Sequence, residues 1–194
     1  MPPELPEYIL KNDTCCSDIS LLDFSKNEFT GSLPRICFDY TNSLAKIDFS
    51  ENQFTGEIPA EMLESQCLNY LNLKENGITG FEKTNKKGLV NYLNLYSNQI
   101  ISTKNLFENT IIKEINLTKN KLDSISADII NIKDNLELLS ISSNKFTGEI
   151  PAEIFELKKL RTLNLKYNAF VGEMPQEILQ LSDLDKGKNM INTF

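Results

Sequence analysis

The chain has 194 residues, 40% of them hydrophobic, with 27 acidic against 20 basic side chains, a formal net charge of -7, four cysteines and no histidine. That length and apolar content suit one folded unit with a proper core, while the acidic balance works against a polyanionic partner such as nucleic acid. Without histidine the common Ser-His and Cys-His nucleophiles and the common mixed zinc sites cannot be assembled, so neither a metal nor a cofactor is expected.

The N-terminal stretch MPPELPEYIL has no basic segment followed by an apolar one, and nowhere is there a run of roughly 18 apolar residues, so neither a secretory signal nor a membrane-spanning segment is expected. A mature form or a piece of a longer protein would read the same. Leu5, Pro6, Ile9 and Leu10 match the pattern of Ile58, Pro59, Met62 and Leu63. Residues 1–18 therefore read as half a repeat serving as a rudimentary cap. Cys15 and Cys16 are adjacent, and with Cys37 and Cys67 they show no CxxC spacing; disulfides in an oxidising compartment and free thiols in a reducing one both remain open.

From residue 19 a period governs the chain. Asn27, Asn52, Asn76, Asn98, Asn120, Asn144 and Asn168 follow one another at intervals of 25, 24, 22, 22, 24 and 24 residues. The octapeptide FTGEIPAE, at 54–61 and again 92 positions later at 146–153, samples this array twice. Each asparagine follows a frame of three apolar residues. In order these are Ile19, Leu22, Phe24; Leu44, Ile47, Phe49; Leu68, Leu71, Leu73; Val90, Leu93, Leu95; Ile112, Ile115, Leu117; Leu136, Leu139, Ile141; and Leu160, Leu163, Leu165. The alternation inside each frame predicts a short strand with one buried face. Strands met in the same sense at each turn of a coil stack in parallel. The asparagine amide supplies donor and acceptor to backbone groups that leave the ladder where the chain turns. Two residues on, Phe29, Phe54, Ile78, Ile100, Leu122, Phe146 and Phe170 predict a core spine.

The L-x-x-L-x-L-x-x-N frames resemble leucine-rich repeats, and the blocks FTGSLP, FTGEIP, FTGEIP and VGEMP resemble the plant-type subclass found in receptor-like kinase ectodomains and polygalacturonase-inhibiting proteins. The resemblance implies an α/β right-handed solenoid, a horseshoe or arc with a parallel sheet on its concave face. It further implies a second short strand after the turn, with Gly31, Gly56, Gly148 and Gly172 at the turns. Short helical or 3-10 segments on the convex face follow, opened by Pro34, Pro59, Pro151 and Pro175. The repeats that begin at Leu68, Val90 and Ile112 lack the Ile-Pro pair, so a shorter and less regular convex side is expected there. Residues 19–184 are read as seven repeats. Leu184 opens an eighth frame that is not completed, leaving 185–194 as a C-terminal tail.

Chemistry on this scaffold has one candidate, Asp23 and Asp48, which take the same strand position in adjacent repeats at a spacing of about 5 Å that suits a carboxylate pair. An open, wet sheet supplies neither a raised pKa nor a closed cleft, so no catalytic residues are assigned. Recognition is assigned instead to the concave face, where every strand residue outside the apolar frame is expected to be exposed. Tyr70 and Tyr92 share a column, Tyr96 stands one column across, and Asn72, Asn94, Lys74 and Asn116 surround them. Clustered tyrosine over amides suits protein recognition and also stacking on sugar rings. The reading is a non-enzymatic module that binds a protein. A polysaccharide-binding module of a secreted or surface protein, or a structural segment of a larger receptor, are the alternatives. The resemblance implies an extracellular or cell-surface site, and a cytoplasmic one stays open. Sequons occur at Asn12 and Asn116.

Overall fold

The computed structural model describes residues 3–9, 19–36, 43–173 and 176–181. Seven three-residue strands, Leu21–Asp23, Lys46–Asp48, Tyr70–Asn72, Tyr92–Asn94, Glu114–Asn116, Leu138–Ser140 and Thr162–Asn164, form one parallel sheet in which each pairs with the next along the chain. Parallel neighbours need a crossover behind the sheet, and such crossovers are right-handed. The chain therefore winds one right-handed coil per repeat. The middle residue of each strand from the second onward, Ile47, Leu71, Leu93, Ile115, Leu139 and Leu163, is buried and joins the frame residues on either side in one continuous core.

The asparagines stand in file and do more than close their own turn. From Asn52 onward each Nδ2 donates within its own coil, as Asn98 does to Leu95 O at 3.2 Å, and also to the preceding coil, as Asn98 does to Leu73 O at 2.9 Å. In these six the Oδ1 accepts from the preceding coil's spine residue: Phe29 N on Asn52, Phe54 N on Asn76, Ile78 N on Asn98, Ile100 N on Asn120, Leu122 N on Asn144 and Phe146 N on Asn168, all between 2.9 and 3.3 Å. One side chain thus satisfies backbone groups that no ladder reaches, and it fastens two coils together.

The residue just before each of these asparagines has left-handed backbone. Lys26, Glu51, Glu75, Ser97, Lys119, Ser143 and Tyr167 all have φ between 53° and 57°. None is glycine, and the conformation costs about 1–2 kcal/mol each. The turn is held because the same residues donate forward, Ser97 N to Thr118 O at 2.9 Å and Lys119 N to Ser142 O at 3.0 Å among them.

Second strands follow the turn at Thr30–Ser32, Gln53–Ile58, Thr147–Gly148 and Ala169–Phe170, and the four turn glycines all have positive φ. The third coil, although it lacks the Ile-Pro pair, also has a second strand, Gly77–Phe81, paired with Gln53–Ile58 across a register shift at Gly56 and Glu57. Gly77 permits this, since a Cβ there would lie 3.1 Å from Phe54 O. Behind the sheet, Pro59 and Pro151 immediately precede the helix Ala60–Glu64 and the 3-10 helix Ala152–Glu156. Pro34 does not open a helix: the strand Arg35–Ile36 follows it and pairs with Tyr8–Ile9. Pro175 lies outside the described residues.

The third and fourth coils have no convex helix among the described residues. Side chains tie their loops down instead: Glu64 Oε1 accepts from Lys86 N at 3.2 Å, Asn105 Nδ2 donates to Phe81 O and Asn109 Nδ2 to Thr84 O, both at 3.1 Å. The fifth coil returns to a 3-10 helix, Ala127–Ile132, capped by the Ser126 hydroxyl on Asp128 N. No helix among the described residues is long and apolar enough to cross a membrane.

Candidate functional site

The parallel register sets the concave face out in columns. One runs Leu21, Lys46, Tyr70, Tyr92, Glu114, Leu138, Thr162, and the next Asp23, Asp48, Asn72, Asn94, Asn116, Ser140, Asn164. Tyr70 and Tyr92 are brought face to face, with ring centroids 4.5 Å apart and planes 3° from parallel. That separation is close to the strand spacing, so the sheet itself holds the rings in contact. Burial first, then Tyr92 and the Asp48 charge, raise the Tyr70 phenol above its ordinary pKa.

Tyr96, one column further along the strand direction, meets a residue not singled out in the sequence. Lys119 Nζ lies 4.9 Å from the Tyr96 ring centroid, a cation–π contact, and hydrogen bonding to Tyr96 raises the lysine's pKa. No sequence signal marked Lys119: the contact exists because the left-handed turn of the fifth coil throws that side chain back across the fourth.

The other proposed site residues divide. Asn72 is buried, against expectation, with 7% of its surface exposed; its Nδ2 donates to Asp48 Oδ2 at 2.9 Å and its Oδ1 accepts from Lys74 N at 3.3 Å. Lys74 is ion-paired to Glu51 at 3.0 Å. Asn94 and Asn116 are half-buried, and each Oδ1 accepts the amide two residues on, from Tyr96 at 3.1 Å and Thr118 at 3.0 Å. Ser50, Ser140 and Ser142, also expected to be exposed, are buried too. Short polar side chains shoulder each other at strand spacing, and Thr118 Oγ1 bonds Ser140 Oγ at 2.7 Å and Ser142 Oγ at 3.0 Å.

Asp23 and Asp48 are adjacent in register, but an oxygen of each serves its own turn, and the other oxygen of Asp48 holds Asn72. Asp23 Oδ1 accepts from Ser25 N at 2.9 Å, and Asp48 Oδ1 from Ser50 N at 2.9 Å and Ser50 Oγ at 2.6 Å. Hydrogen bonds from Ser25 hold the Asp23 carboxyl below its ordinary pKa, the opposite of what a general acid needs. Cys67 is half-buried beside Ser65, Sγ to Oγ 3.3 Å. Cys15, Cys16, Cys37 and the Asn12 sequon lie outside the described residues. The Asn116 sequon sits in a sheet strand.

The family model described as leucine rich repeat matches residues 110–170. Among solved structures, the fold is similar to the ectodomain of the Arabidopsis thaliana membrane receptor kinase GASSHO1/SCHENGEN3 in complex with CASPARIAN STRIP INTEGRITY FACTOR 2, at 26% identity and TM-score 0.67 over 87% of this chain and 20% of that one. It is also similar to the plant peptide hormone receptor RGFR1 in complex with RGF2, at 29% identity and TM-score 0.72 over 86% of this chain and 27% of that one. A third likeness is to TLR13 in a complex with ssRNA13, at 25% identity and TM-score 0.70 over 86% and 24%. The chain thus spans about a fifth to a quarter of the length of these proteins. No curated protein matches the sequence.

Proposed function

Since the chain is a leucine-rich-repeat protein of the plant type, we propose that it is a non-enzymatic recognition module that binds a protein partner through its concave sheet, outside the cell or at its surface. The observation that carries this reading is the aromatic cluster at mid-sheet, Tyr70 stacked on Tyr92 with Tyr96 under Lys119. Rigid, partly buried aromatic rings beside a cation are the composition of protein-interface anchors. Of the plant receptors of similar fold, one is a peptide hormone receptor in complex with RGF2 and another is in complex with CASPARIAN STRIP INTEGRITY FACTOR 2, which supports a protein or peptide as the ligand class.

Asn94, Asn116 and Lys119 complete the proposed contact surface around the rings. Asn72 and Lys74 act behind it, since the first is buried on Asp48 and the second is held by Glu51. A sugar ring stacks on an open aromatic face, and the Tyr70–Tyr92 stack has used one face of each ring. This weighs toward a protein and against a polysaccharide.

The test is selection of binding peptides from a displayed library on the immobilised chain. Titration of a selected peptide against wild type and the Tyr70→Ala, Tyr92→Ala pair then follows. Loss of affinity by a factor of about 10–100, the range of interface hot spots, is expected. Selected peptides that bind the pair as well as wild type would move the site off this face, and a glycan array with ring-dependent binding would replace the protein with a polysaccharide.

A further inference from the structure

The edge of the solenoid beside the concave face, where the chain leaves the sheet, carries charge that is segregated along the arc. One position of the turn reads Lys26, Glu51, Glu75, Ser97, Lys119, Ser143, Tyr167, and the outward position two residues further reads Glu28, Gln53, Gly77, Gln99, Lys121, Lys145, Ala169. Early coils present Glu28, Glu51 and Glu75 beside a single Lys26, with Lys74 ion-paired to the last two glutamates at 3.0 and 3.8 Å. The fifth and sixth coils present Lys119, Lys121 and Lys145, all exposed.

Lys121 and Lys145 occupy equivalent places. Lys121 N donates to Ile100 O at 2.9 Å and Lys145 N to Leu122 O at 2.7 Å, the same bond in successive coils. Their backbones are therefore one strand spacing apart, about 4.8 Å, and like charges in such a row repel. Among the described residues no ion pair is made by Lys121 or Lys145; Arg35, Lys74 and Arg161 are paired elsewhere. Asp123, the carboxylate nearest along the chain, takes the Ser124 hydroxyl at 2.9 Å. Tyr167, 70% exposed, flanks the row on one side, and the Tyr96–Lys119 contact joins it to the aromatic cluster on the other. In a chain of net charge -7, an uncompensated basic row against an exposed ring is a local exception to the chain's overall charge.

We propose that this edge is a docking strip for an acidic segment of a protein partner, carboxylates bridging Lys121 and Lys145 while an apolar residue lies on Tyr167. The class of partner rests on the reading of the neighbouring sheet as a protein-recognition surface. The strip itself does not require the tyrosine pair.

The test uses the full chain and a fluorescent dodecapeptide of alternating glutamate and glycine, with a glutamine counterpart, measured by anisotropy at low and moderate salt. The acidic peptide is expected to bind and the glutamine one not. Binding should weaken at least tenfold for Lys121→Glu with Lys145→Glu, and severalfold between 50 and 200 mM salt through screening. Lys121→Gln with Lys145→Gln, which adds no repulsion among neighbours, should lose binding in proportion to the charge removed. Circular dichroism confirms the folded state of both. Acidic-peptide affinity unchanged within twofold in the glutamate variants overturns the proposal. So does tighter lysine-dependent binding of a polyuronide or a single-stranded RNA, which would assign the strip to another polyanion. Failure here with tyrosine-dependent peptide binding intact would leave the concave reading standing, and the reverse outcome would separate the two the other way.

Discussion

The Tyr70 and Tyr92 rings lie 3° from parallel with centroids 4.5 Å apart, so each covers one face of the other. Such a pair contributes to stability beyond its buried area, by about 0.5–1.5 kcal/mol. A double-mutant cycle with Tyr70→Ala and Tyr92→Ala, followed by urea denaturation, should return a coupling energy in that range. Strict additivity would mean the rings are neighbours without contact in solution.

The stack also has an alkaline signature. Burial raises the Tyr70 pKa above its ordinary value near 10, so the folded state favours the neutral phenol. That contribution is fully present below the unfolded pKa and is lost as pH rises from there through the folded value. Absorbance titration should show a late-ionising tyrosine component that is absent in Tyr70→Phe. Titration of all six tyrosines as one unperturbed class would contradict the assignment.

Asn98 tests the file of amides. Its replacement by alanine removes one of two amide donors from Leu73 O and from Leu95 O, which keep Asn76 and Asn120, and takes the acceptor from the buried Ile78 N. A buried amide left unpaired costs about 1–3 kcal/mol, and a loss of about 2 kcal/mol is expected from chemical denaturation. Hydrogen exchange should quicken first in the third and fourth coils, because a solenoid transmits a defect chiefly to its neighbours. A loss below about 1 kcal/mol would show that water replaces the amide.

Two glycines should fail differently. A Cβ on Gly88 would overlap the backbone carbonyl of Leu63, which cannot swing aside as a side chain could, and Gly88→Ala should be severely destabilising, by about 3 kcal/mol or more. Gly148 has open space around it but φ of 72°, so Gly148→Ala should cost only the left-handed conformation, about 1–2 kcal/mol. Thermal unfolding of both variants checks the order, and equal losses would refute it.

The period made most of the architecture legible. Where Leu71 or Leu93 recurs in phase with its asparagine, period-two burial leaves one way to form a strand, and the repeat leaves one way to stack it. The column shared by Tyr70 and Tyr92 follows from counting residues. The second strand Gly77–Phe81 was hidden because its pairing depends on Gly77 fitting beneath Phe54 O, a clearance between coils that no pattern within one coil records.

Local sequence determined the coil: which residues turn inward, where the chain bends, and which amide ties the bend. Only the stacked coils decided which polar side chains remain available to a partner. Asn72, Ser140 and Ser142 are consumed by neighbours from other repeats, and Lys119 is carried onto Tyr96. The physical reason is distance: a side chain reaches across one strand spacing as easily as along its own strand, so its hydrogen bonds are set by residues about 24 positions away in the chain.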